Sequence, residues 1–122
     1  MYSRDLIYSV LQILLLSSIS QKRKYAYEII RELNECFGKK ELNDGWVNTV
    51  LKKLEAEKYI TSETIAIAGI KRRYFEITGS GREFLELRKQ ETADFIKSLH
   101  HFLDLSVPES VNYLQEYNYC LN

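Results

Sequence analysis

The stretch from Asn43 to Thr78 constrains the fold more than any other part of this chain. It opens on Asn43 and Asp44, whose side-chain oxygens suit the start of a helix. The run WVNTVLKKLEAEKY follows, with Val47, Val50, Leu51 and Leu54 apolar. Steps of three, one and three put these on one helical face, so the spacing predicts a helix over residues 44–58. Two β-rich runs come next, ITSETIAIAG and IKRRYFEIT, joined at Gly69. Thr61, Glu63 and Ile65 alternate with Ser62, Thr64 and Ala66; Tyr74, Glu76 and Thr78 alternate with Arg73, Phe75 and Ile77. That period of two is a hairpin's, with Phe75 and Ile77 pointing inward.

Lys71, Arg72 and Arg73 sit where the second strand begins, and Lys52 and Lys53 lie on the outer side of the helix. A short helix followed by a hairpin with a basic flank is the layout of a winged helix, and the expectation is a DNA-binding module. A helix in the major groove reads base edges from its exposed face near its N-terminus. Here that face offers Trp46, Asn48, Thr49, Lys52 and Lys53. The amide of Asn48 can pair with adenine, and either lysine can meet guanine or phosphate. K-K-x-x-E is ordinary on any surface helix, so the lysines carry meaning only within this topology. Trp46 has two roles open: stacking on sugar or a thymine methyl, or packing back on the hairpin. Lys71, Arg72 and Arg73 suit phosphate or minor-groove contact, with alternation placing Lys71 and Arg73 on one side.

Upstream, Ser3 is positioned to cap a first helix running to about Ser17. Leu6, Ile7, Val10, Leu11, Ile13, Leu14, Leu15 and Leu16 cover more than one of its faces, as on a helix buried on several sides. The expected cause is a second subunit, with Leu6, Val10 and Leu14 in the interface. Lys22, Arg23 and Lys24 then form a basic turn before a second helix over residues 25–37, whose first N–H groups add to the positive charge. Tyr25 and Tyr27 can add hydroxyl contacts to phosphate. The inward face of this helix is Tyr27 or Ala26 with Ile29, Ile30 and Leu33; Glu28, Arg31, Glu32 and Glu35 are expected to face water, and Gly38 to stop it.

Downstream, Thr78 caps a long final helix with Gly79 and Gly81 in its first turn. Phe84, Leu85, Phe95, Ile96, Leu99, Phe102 and Leu103 recur on it at steps of three and four around a polar middle. A stripe extending so far past a small core calls for a partner, so Phe95, Ile96, Leu99, Phe102 and Leu103 are expected in a dimer interface. Ser106-Val-Pro-Glu109 reads as a capping box opening a short extra helix over residues 107–119. The predicted architecture is mainly α with a small β-hairpin wing (α+β). Residues 1–80 form a winged helix-turn-helix DNA-binding domain, and residues 81–122 a C-terminal helical dimerisation segment.

Net charge is zero, but residues 1–80 hold 13 Lys/Arg against 10 Asp/Glu and residues 81–122 hold 4 against 7. A positive front and a negative back would orient the chain on a phosphate surface. Cys36 and Cys120 make no C-x-x-C pair and suit reduced thiols in a cytoplasmic protein. The leucine run at Leu14–Leu16 lies in a segment too short to span a bilayer, so neither a leader nor a membrane partner is expected. His100, His101 and Asp104 invite a metal reading, but adjacent helical histidines point about a hundred degrees apart and chelate poorly. With no nucleophile–base pair and no G-x-x-x-x-G-K loop, no catalysis, metal or cofactor is expected.

Four segments together resemble the PadR family of winged-helix transcriptional regulators. LQILLLSSIS is similar to its leucine-rich first helix, and YAYEIIREL to its G-Y-E-I-x-x-x-L helix through Tyr27, Glu28, Ile29 and Leu33. GWVNTVLKKLEAEKYI resembles its recognition helix, G-x-L-Y-x-x-L-x-x-L-E-x-x-G-L-I. GIKRRYFEITGSGREFL resembles its wing strand and exit, R-R-x-Y-x-L-T-x-x-G-x-x-x-L. The likeness covers about residues 10–90. Departures are Ala26 for the glycine before Tyr27, Asn48 for a tyrosine, Trp46 for a common threonine, and Lys58-Tyr59 for the glycine-hydrophobic helix ending. The resemblance implies a homodimeric repressor on double-stranded DNA, dimerised through its last helix. It also leaves room for a small aromatic effector at the dimer interface, although Phe95, Leu99 and Phe102 read more readily as a closed core. The rivals from other classes are a protein-interaction winged helix (an accessory or anti-repressor protein) and an architectural or segregation DNA binder.

Overall fold

The computed structural model describes residues 4–37 and 42–105, and for residues 4–8 the backbone alone. Element order is α1 (Arg4–Gln21), β1 (Lys24–Tyr25), α2 (Ala26–Phe37), α3 (Asp44–Ala56), β2 (Ile60–Ile67), β3 (Ile70–Ile77) and α4 (Gly79–Leu103). The Ser3 cap, the Gly38 stop and the extra helix over 107–119 lie outside the described residues.

The centre of the fold is α1, which touches α2, α3, α4 and β3. Leu11, Leu15, Leu16 and Ile19 are fully buried, and Ile13 and Leu14 pack against the same core. Much of the apolar girdle expected to need a second subunit is therefore covered within one chain. The helix also runs past Ser17, because Ile19, one turn on from Leu15 and Leu16, buries its side chain. From α2, Ile29 and Leu33 complete this side of the core. Tyr27 is exposed and Ala26 packs against the core, which settles which of the two faces inward.

The side chain of Asn43 caps α3, its Oδ1 accepting from Gly45 N at 2.7 Å and Trp46 N at 3.3 Å. Val47, Val50, Leu51 and Leu54 are buried, as their spacing predicts. The helix ends at Ala56, two residues before the predicted limit, because Lys58 turns left-handed with φ 65°. A residue with a Cβ is disfavoured there by about 1–2 kcal/mol, which is why a glycine suits this position.

The hairpin closes through Ala68 and Gly69, with φ of 53° and 81°, between the paired Ile67 and Ile70. Two positive-φ residues in a two-residue loop match the right-handed twist of the flanking strands. Phe75 and Ile77 are buried. The expected basic turn at Lys22–Lys24 is instead partly a strand: Lys24 pairs with Phe75 and Tyr25 with Tyr74, giving the antiparallel order β1-β3-β2.

Thr78 caps α4, its Oγ1 accepting from Gly81 N at 3.0 Å. Gly81 is buried because the helix start presses on the preceding turn; a Cβ there would collide with the Tyr59 carbonyl oxygen. One turn on, Phe84 stacks on Tyr59 with centroids 4.3 Å apart, and Leu85 is buried. Beyond that point the helix leaves the core. Phe95, Ile96, Leu99, Phe102 and Leu103 are all exposed.

Candidate nucleic-acid interface

Three segments meet around an open cleft of about 390 Å³. The junction of β1 and α2 contributes Tyr25 and Tyr27, α3 contributes Asn48 and Lys52, and β3 contributes Arg72 and Arg73. This convergence follows from the core below it. Buried Val47, Val50, Leu51 and Leu54 turn the opposite side of α3 outward, exposing Asn48, Thr49, Lys52 and Lys53. Thr49 donates its hydroxyl to Gly45 O at 2.8 Å, leaving its own oxygen free to accept. Pairing of β1 with β3 draws Tyr25 alongside the wing.

Cations and aromatic rings interleave on this side. The Arg72 guanidinium lies 4.6 Å from the Tyr25 ring centre, and that of Arg23 5.7 Å from Tyr74. Tyr25 stacks on Tyr27 at 6.4 Å and meets Tyr74 edge-on at 5.4 Å. Both arginines are within the ~6 Å at which a ring face attracts a cation. Each keeps a charged, exposed end, and Lys22, Lys71 and Tyr27 are exposed beside them.

Expectations about three residues need correction. Lys24, expected beside Lys22 and Arg23 as a phosphate contact, is 4% exposed. Its ammonium donates to Ser18 O at 2.9 Å, to Ser18 Oγ at 3.1 Å and to Glu32 Oε2 at 2.5 Å. Strand pairing opposite Phe75 turns its side chain inward, and a buried ammonium needs such partners. Glu32 accordingly does not simply face water; it is the counter-ion. Glu28 is likewise occupied, its Oε1 accepting from Tyr25 N at 3.2 Å as a helix cap does.

Trp46 is half-buried and packs against the core. Of the three wing cations, Arg73 is held by Glu55 of α3, Nη2 to Oε1 at 2.7 Å, and donates from Nε to Ser62 Oγ at 2.9 Å. Neither Glu55 nor Ser62 stands out in the sequence, since their partner is remote along the chain. Of the expected interface residues on α1, Val10 and Leu14 are half-buried, and the side chain of Leu6 lies outside the description. His100 and His101 are exposed near the end of α4, and among the described residues no three His, Cys, Asp or Glu side chains gather as a metal site requires. Among the described residues no helix is long and apolar enough to cross a membrane.

An outward helix face, a β-hairpin flanking it and a cationic cleft between them define a winged-helix domain. The family model of the transcriptional regulator PadR-like family matches residues 15–87, so the chain belongs to that family. Solved structures agree. A PadR family transcription regulator from hypervirulent Clostridium difficile is 31% identical, with 77% of this chain and 98% of that one covered at a TM-score of 0.70. A PadR-like transcriptional regulator from Bacillus cereus is 30% identical, with 84% and 99% covered at 0.74. A Streptococcus mutans protein at 21% identity, with 89% and 99% covered and a TM-score of 0.75, shares the fold. No curated protein matches this chain significantly.

Proposed function

We propose that this chain is a homodimeric repressor that binds a short palindromic operator in double-stranded DNA. The observation that carries this is the convergence of Asn48 and Lys52 from α3 with Arg72 and the tyrosines on one open cleft. An amide and an ammonium on the exposed face of α3 have the chemistry to read adenine and guanine edges in the major groove. Lys53, Lys71, Arg72, Lys22 and Arg23 surround them at the surface and suit phosphate, which supplies affinity rather than sequence. Tyr25 and Tyr27 have hydroxyls to offer the same backbone.

Dimerisation would set the spacing of two such faces. Leu99 has Phe95, Ile96, Phe102 and Leu103 three and four residues away, so these form one exposed apolar seam on α4. A seam of that kind is stable when another helix covers it. Phe95, Leu99 and Phe102 then close on the partner copy as a core, and two copies of α3 would address half-sites about one helical turn apart.

The test is Lys52→Ala/Lys53→Ala, read by anisotropy on an operator duplex. Affinity should fall, and the salt slope should shrink by about 0.9 for every phosphate no longer neutralised. The thermal melt should stay near wild type, since both side chains are exposed. Unchanged affinity and slope would remove α3 from the interface.

A further inference from the structure

The three wing cations are not equivalent. Arg73 and Phe75 are two residues apart on β3, hence on the same side of the strand, the side turned toward α3. There Glu55 uses both carboxylate oxygens: Oε1 accepts from Arg73 and Oε2 accepts from the Ser62 hydroxyl at 2.5 Å. Ser62 Oγ in turn accepts from Arg73 Nε at 2.9 Å. Three hydrogen bonds thus close a ring joining α3, β2 and β3, and all three involve a charged group. Arg72, one residue earlier, instead lies over Tyr25, and Lys71 is exposed.

We propose that Arg73 is a positioning residue that braces the wing against α3 through Glu55 and Ser62, while Lys71 and Arg72 meet the phosphates. The proposal rests on the DNA-binding reading above and deepens it. Arg73 spends Nε and one Nη2 hydrogen on a hydroxyl and a carboxylate, and the carboxylate offsets part of its charge. A phosphate approaching its remaining donors would meet the repulsion of Glu55. The brace also has a use. The cleft takes its walls from α3 and β3, so its width depends on how firmly those two elements are tied. The bonds beside Asn48 and Lys52 are the tie.

Two readouts separate a brace from a phosphate contact. In salt titrations of duplex binding, Arg72→Ala should weaken affinity and reduce the slope by about 0.9 for each phosphate that its side chain neutralises. Arg73→Ala and Glu55→Ala should each weaken affinity by roughly tenfold, the scale of a charge-assisted bond, with the slope unchanged. The double variant should be no worse than either single one. The second readout needs no DNA. In a chain carrying Cys36→Ser and Cys120→Ser, spin labels at Ala56→Cys and Ala66→Cys report the distance from α3 to the wing. That distribution should be narrow, and should broaden with Glu55→Ala or Arg73→Ala but not with Arg72→Ala. A reduced slope in Arg73→Ala, or a Glu55→Ala variant that binds as tightly as the parent, would overturn the proposal. So would a label distance indifferent to both changes. If the parent chain ignores duplex DNA altogether, the functional reading fails, and the label distances alone decide whether the brace exists.

Discussion

Replacing Lys24 by alanine tests whether a lysine at this point of the chain serves the fold or the ligand. Its ammonium makes three hydrogen bonds, two to Ser18 and one to Glu32, and its side chain is 5% exposed. Removing one partner of a buried ion pair destabilises by about 3–5 kcal/mol, because the other charge is left without compensation. Glu32 keeps 26% of its side chain in solvent, so water can recover part of that loss. Ser18 is 2% exposed and recovers little. Lys24→Ala should therefore destabilise by about 2–4 kcal/mol. Lys24→Ala/Glu32→Ala should recover part of this, since no carboxylate then remains in want of a cation. Urea unfolding gives the stabilities, and duplex titration at several salt concentrations gives the slope, which should match wild type. A Lys24→Ala protein of unaltered stability with a diminished salt slope would show that the side chain reaches the phosphates after all.

Gly81→Ala should destabilise by about 3 kcal/mol or more, the upper end for overpacking, because the added Cβ would meet unyielding backbone at the Tyr59 carbonyl oxygen; a thermal melt within a degree of wild type would refute this. Leu99→Asp should give monomers by sedimentation and lose operator binding, since it puts a charge amid Phe95, Ile96, Phe102 and Leu103; a dimeric variant would place the interface elsewhere.

Much of the fold is legible from residue spacing. Val47, Val50, Leu51 and Leu54 announce α3 and its buried face, and Asn43 announces its cap. Gly69 between two alternating runs announces the wing, and Thr78 the start of α4. Local chemistry decides each of these. The exact end of α3 is harder, because it depends on Lys58 accepting a left-handed backbone that its side chain does not favour. Strand β1 is illegible for a different reason. Two residues have no period, and Lys24-Tyr25 becomes a strand only because β3 is there to pair with it.

The site divides along the same line. The outward α3 positions Asn48, Thr49, Lys52 and Lys53 follow from the apolar face behind them. A side chain's partner across the fold does not. Nothing near Lys24 in the sequence says that Ser18 and Glu32 will enclose it, and nothing near Arg73 points to Glu55, 18 residues upstream. Both look like free cations until tertiary contacts are known. Trp46 is similar: its ring belongs to the edge of the core, and only packing reveals that.

The most direct test is an anisotropy titration against a duplex from upstream of the protein's own gene, at about 50 mM and about 200 mM salt. Lys52, Lys53, Lys71 and Arg72 are four exposed cations per copy. If half to all of the eight in a dimer meet phosphate, affinity should fall by about 10²- to 10⁴-fold between the two conditions. No binding at the lower salt, or an affinity that ignores the change, would contradict the assignment of this surface to DNA.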